Sequence, residues 1–205
     1  MTRETKPIPA ALGFRVKSGW AMAALLAGSA NQPELVTCKA VLLSDPKVPQ
    51  SKQPHHPALE LPHKEGKAVT SKLRSVVRGA AKKSIKELLK EARGALYEVR
   101  GAALVVGSVV DPSTLHNEHI RAHGLEGQLF RTVLEDALEA QEIPCGVYLE
   151  KGAYEAVAPV LRKNAAQAKR TIANLSESHN GSWRAEEKLA ALAGWGALAR
   201  WGRRS

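Results

Sequence analysis

Between Gly101 and Glu150 the hydrophobic pattern changes period twice. Residues 102–110 are an almost unbroken apolar run that stops at Asp111-Pro112-Ser113. Residues 116–140 then place apolar side chains at helical spacing, with Ile120, Leu134 and Leu138 expected inside and Gly124 and Gly127 as points of close approach. A second apolar run, 145–149, ends at Glu150. Continuous runs bounded by Gly and Pro read as strands covered on both faces, as parallel strands are. Strand, helix and strand in succession predict an α/β domain.

The same pattern organises the rest of the chain. Residues 14–27 and 34–43 read as two strands joined by the turn Gly28-Ser29-Ala30-Asn31-Gln32-Pro33, an antiparallel hairpin. Residues 45–67 hold Pro46, Pro49, Pro54, Pro57 and Pro62 with His55, His56 and His63, so an extended loop is expected, with a short edge strand at 58–61. From Ala68 apolar residues recur at three and four, predicting a long helix that ends at Gly94. Two further helices are expected, at 154–175, where Pro159 kinks or delays the start, and at 183–201. Residues 1–11 read as a loose polar arm and 12–205 as one domain. The fold class is therefore α/β, a mixed sheet with an N-terminal antiparallel hairpin and parallel strands flanked by helices.

Charge sharpens this picture through its distribution. The formal net charge is +10, and residues 67–93 alone carry nine Lys or Arg against two Glu, whereas 114–143 carry six acids against two Arg. On the long helix Arg74, Arg78, Lys82, Lys86 and Lys90 recur every fourth residue and line one flank. Like charges at that spacing repel, by roughly 0.2–0.5 kcal/mol per pair. A polyanion would relieve the repulsion, and nucleic acid is the partner this implies; a merely solvated basic face is the plainer alternative.

Other candidate chemistry is thinner. Cys38 and Cys145 lie in apolar runs without zinc-type spacing and read as buried thiols. His116, His119 and His123 share a helical segment, but no carboxylate spacing familiar from metal sites accompanies them. Trp183, Trp195 and Trp201 suit packing better than base stacking in a chain with only 4% aromatic residues. Arg15 and Lys17 ahead of the apolar stretch 20–27 and Gly28-Ser29-Ala30 also fit the order of a secretory signal, although that stretch is far too short to span a bilayer. The hairpin explains both apolar runs at once, which favours a cytoplasmic protein with no membrane partner.

The order of elements resembles the ribonuclease H-like fold, and within it the RuvC-like Holliday-junction resolvase branch that includes the bacterial pre-ribosomal-RNA-processing nucleases. The resemblance rests on Val-Val-Gly-Ser at 105–108, the turn at Asp111, the run Ile-Pro-Cys-Gly-Val-Tyr-Leu-Glu150, and Trp183-Arg-Ala-Glu-Glu-Lys-Leu as the start of a last helix. It implies two-metal phosphodiester hydrolysis, in which clustered carboxylates hold Mg²⁺, and it makes Glu150, Glu186 and Glu187 the candidate catalytic and metal-binding residues. Asp111 is a weaker candidate, because an Asp before Pro is usually a turn former. The departure lies in the first strand. Where the family carries a central Asp, this chain has Phe14-Arg15-Val16-Lys17, and a cation there repels metal ions. The reading that follows is a nucleic-acid-binding protein with an incomplete metal site, non-catalytic and without a cofactor, using the basic helix, the basic C-terminus, Arg15 and Lys17. A Mg²⁺-dependent nuclease and a structural or protein-interaction module are the alternatives.

Overall fold

The computed structural model describes residues 6–179 and 181–202. Five strands, β1 (Ile8–Lys17), β2 (Trp20–Gly28), β3 (Pro33–Leu42), β4 (Tyr97–Val106) and β5 (Cys145–Leu149), form one sheet in the order β3-β2-β1-β4-β5. The first three strands pair antiparallel, whereas β1 pairs parallel with β4 and β4 parallel with β5. The helices are α1 (His63–Gly94), α2 (Glu118–Glu139), α3 (Ala153–Val157), α4 (Ala165–Asn174) and α5 (Ala185–Trp201). The mixed sheet, its parallel half and the flanking helices are as the hydrophobic pattern predicts.

Strand alternation divides the core into two layers. Leu12, Phe14 and Val16 of β1 pack with Leu104 of β4 against Val77, Ile85 and Leu89 of α1 and Phe130, Leu134 and Leu138 of α2. Ala11, Ala103 and Val105 face the other way, onto α5 and the helices α3 and α4. The α5 sequence is rich in Ala, Gly and Leu and is buried almost all round, including Trp195, whose Nε1 donates to the Ala30 carbonyl at 2.8 Å. Its backbone comes down on β1 at Gly13. A Cβ there would collide with the Ala190 carbonyl and the Gly194 amide, so two glycines set how deeply the helix sits.

Several expectations are corrected. Residues 14–27 are parts of two strands, turned at Ser18-Gly19 with Gly19 at φ +81°. Arg15 and Lys17 already mix charge into the end of β1, so the short polar step Lys17-Ser18-Gly19 does not stand out from the strand around it. Residues 8–11 belong to β1, with Ala10 and Ala11 fully buried, rather than to a loose arm; residues 1–5 lie outside the described residues. Pro9 is tolerated because it stands near the start of the strand. Residues 20–27 pair on both sides as β2, which removes the leader reading.

Further along, β4 covers Tyr97–Val106 instead of 102–110, leaving Val109 and Val110 exposed. Pro57–Glu60 is a short 3₁₀ helix instead of an edge strand, and α1 starts at His63, immediately after Pro62. The segment 154–175 is two helices, broken after Val157 around Pro159 and Arg162, the latter at φ +52°, and restarted by a capping box between Asn164 and Gln167. Ile120 is exposed, and Gly127 has open space where a side chain would stand. Cys38 and Cys145 are half-buried free thiols, each pushed up to about 12, by burial first and then by the charges of Glu187 and Glu135 respectively.

Candidate functional site at the carboxyl end of the parallel strands

Parallel sheets present ligand sites beyond the carboxyl ends of their strands. Here β1, β4 and β5 end side by side, and a cavity of about 190 Å³ opens among Arg15, Lys17, Ser18, Val106, Gly107 and Phe130. Glu150 follows β5 directly, its amide donating to the Val106 carbonyl at 2.8 Å. Arg15 and Lys17 stand two apart on β1 and share the face that α5 covers.

The guanidinium of Arg15 forms an ion pair with Glu150 through Nη2, and its Nη1 donates to the Val16 carbonyl at 2.7 Å. The Arg15 side chain is 4% exposed and that of Glu150 43%. Arg15 Nε is buried without a hydrogen-bond partner among the described residues. Lys17 Nζ lies 3.3 Å from Glu186 Oε1. Glu186 is held below the usual carboxylate range by its own backbone amide first, and burial, which opposes this, is offset by the hydrogen bond and charge of Lys17 and by the charge of Arg15. Thus positions 15, 17, 150 and 186, distant in sequence, meet at one rim as alternating cations and anions.

Glu187 is placed differently. Its Oε2 accepts from the Arg184 amide at 3.0 Å and its Oε1 from the Ser182 hydroxyl at 2.8 Å, so it closes the first turn of α5. Oε2 thus caps the helix, and Oε1 ties it to the segment before it. Asp111 accepts from the Ser113 amide at 2.9 Å and is a turn residue.

Arg74, Arg78, Lys82, Lys86 and Lys90 are all exposed along α1, on the layer opposite α5, and none has an ion-pair partner among the described residues. Arg74 lines a polar cavity of about 450 Å³ with His55, His63 and Lys67. The last residues of the basic terminus, 203–205, lie outside the described residues. The tryptophans serve packing: Trp183 Nε1 donates to the Ile172 carbonyl at 3.0 Å, and Trp201 lies against Gly101 and Gly146.

Sequence reasoning missed one group. Glu126 of α2 is fully buried and faces His56 of the proline-rich loop and His123 one turn earlier on α2. Only the 70-residue separation of His56 from Glu126 hid the cluster, since His119 and His123 already stood at helical spacing.

A two-Mg²⁺ site needs several carboxylate oxygens free to turn on hard cations. At this rim one oxygen of Glu150 is engaged by Arg15, one of Glu186 by Lys17 and both of Glu187 by Arg184 and Ser182, and a buried guanidinium stands within the cluster. These residues do not fit such a pair of ions.

Sheet order, the direction of each strand and a long last helix crossing β1 define a ribonuclease H-like fold of the RuvC type. No family model matches the chain, and no curated protein matches it in sequence. Solved structures do. The Thermus thermophilus RuvC structure superposes with a TM-score of 0.51 at 12% identity, over 91% of this chain and 92% of that one. T. thermophilus RuvC in complex with a Holliday junction substrate superposes with a TM-score of 0.53 at 11% identity, over 92% of each chain. At that identity the likeness establishes the fold.

Proposed function

We propose that this protein binds nucleic acid through α1 and does not hydrolyse it. The observation behind the second half is the ion pair of Arg15 with Glu150, which puts a cation where metal-dependent members of such a fold need an acid. Behind the first half stand five exposed, unpaired cations at four-residue spacing on one helix of a chain with net charge +10. A RuvC of the same fold has been seen with a Holliday junction, so branched DNA is the first ligand to offer.

If α1 neutralises phosphates, log affinity falls linearly with log salt, with a slope near −0.9 per phosphate contacted. Fluorescence anisotropy with labelled four-way junction, duplex and single strands across a salt series measures that slope. Arg78→Glu or Lys82→Glu is expected to weaken binding by about tenfold and to make the slope shallower by about one or more. Absent binding, or binding indifferent to salt and to both substitutions, overturns the proposal and favours a protein-interaction module.

The nuclease reading retains one supporting observation, the convergence of Glu150 and Glu186 at the strand ends. It requires Mg²⁺-dependent cleavage that Glu150→Gln abolishes.

A further inference from the structure

A second constellation, independent of the rim at Arg15, stands where the proline-rich loop meets α2. Glu126 lies at 0% exposure, and its two oxygens have different fates. Oε1 is 2.7 Å from His56 Nδ1 and 3.4 Å from the His55 amide. Oε2 is 3.6 Å from His123 Nδ1, too far for a hydrogen bond, and has no hydrogen-bond partner among the described residues. A carboxylate oxygen out of water and unpartnered is costly, and native structures leave few of them.

The surroundings supply the chemistry that would satisfy it. One ring nitrogen each of His56 and His123 and a Glu126 oxygen all lie within 4.8 Å of one another. Donors bonded to one tetrahedral ion at about 2.0–2.1 Å stand about 3.3 Å apart, so modest side-chain rotations bring these three onto one centre. The His56 ring is 4.5 Å from that of His123 and 5.8 Å from that of His119, which lies one turn earlier on α2 and is exposed. His119 or water is thus at hand for a fourth position. Two imidazoles and one carboxylate suit a borderline ion such as Zn²⁺ and discriminate against Mg²⁺, which prefers oxygen alone.

We infer that His56, His123 and Glu126 form a Zn²⁺ site that fastens the proline-rich loop to α2. The ligands come from a loop with little regular structure and from a helix that also lines the cavity at Arg15 through Gly127 and Phe130. A metal there closes a loop of about 70 residues between His56 and Glu126, so binding contributes to folding stability. The role is structural and separate from nucleic-acid hydrolysis.

The full-length protein, stripped with chelator and dialysed, is titrated with ZnCl₂ in a calorimeter, and with CoCl₂ while visible absorption is recorded. One Zn²⁺ per chain, a Co²⁺ spectrum of tetrahedral intensity and a Tm that rises with Zn²⁺ are expected. His123 is 58% exposed, so His123→Ala should fold normally while weakening Zn²⁺ binding by at least about tenfold. His179→Ala, outside the cluster, should bind as the parent does. Absence of saturable Zn²⁺ binding, or an affinity unchanged from the parent's in both His123→Ala and His56→Ala, overturns the inference. Neither result bears on the salt-dependent binding assigned to α1.

Discussion

At the scale of single residues, Arg15 decides how the rim behaves. A guanidinium at 4% exposure depends on Glu150 for compensation, so removing the carboxylate strands a buried charge. Glu150→Ala is expected to cost about 3 kcal/mol, the low end for a broken buried pair because Glu150 itself is 43% exposed. Replacing both partners, as Arg15→Met with Glu150→Leu, should recover much of that loss. Urea denaturation of the single and double variants measures both, and a Glu150→Ala protein within about 0.5 kcal/mol of the parent would show that the pair contributes little. The candidates Glu150 and Glu186 were legible because each follows or opens an apolar element, and the cations opposite them because they share one face of a strand. The role of Glu187 was not legible. Two neighbouring acids at a helix start look alike in sequence, and only the amide of Arg184 and the hydroxyl of Ser182 distinguish them.

At the scale of elements, the seat of α5 on β1 is fixed by Gly13 and Gly194. Any side chain at 13 meets the helix backbone, which cannot swing aside as the end of a flexible side chain can. Gly13→Ala is therefore expected to destabilise by at least about 3 kcal/mol, beyond the usual cost of overpacking, with a lowered midpoint in thermal melts. A Gly79→Ala change in α1, where no atom lies within 4 Å of the added carbon, should be neutral or stabilising by up to about 1 kcal/mol. The long helix α1 was legible because its apolar stripe repeats for many turns while its cations recur on the flank. The turn at Gly19 was hidden because it takes only two residues and follows a strand end that already carries Arg15 and Lys17, and the start of β4 was hidden because Tyr97, Glu98 and Arg100 mix polar with apolar side chains before the buried run begins. Helix and strand boundaries failed where tertiary cover, rather than local pattern, determined which residues were buried.

At the scale of the whole molecule, one sheet carries two layers with different surfaces. The α5 layer closes over the charged rim, and the opposite layer presents the cations of α1 to solvent. The α/β class and the mixed sheet followed from runs of apolar residues, whereas the cluster of His56, His123 and Glu126 depends on a loop whose path no periodicity encodes. Among the described residues no helix is long and apolar enough to cross a membrane. A polyanion held on α1 would experience the field of many cations at once, which makes its affinity sensitive to ionic strength.

Binding without hydrolysis is tested most directly by incubating end-labelled DNA and RNA with a molar excess of protein and Mg²⁺, then resolving each sample on native and denaturing gels. Retarded but full-length strands are expected at low salt. Strand cleavage that requires Mg²⁺ and disappears in Glu150→Gln would contradict the assignment of Arg15 as the residue that closes this site to metal.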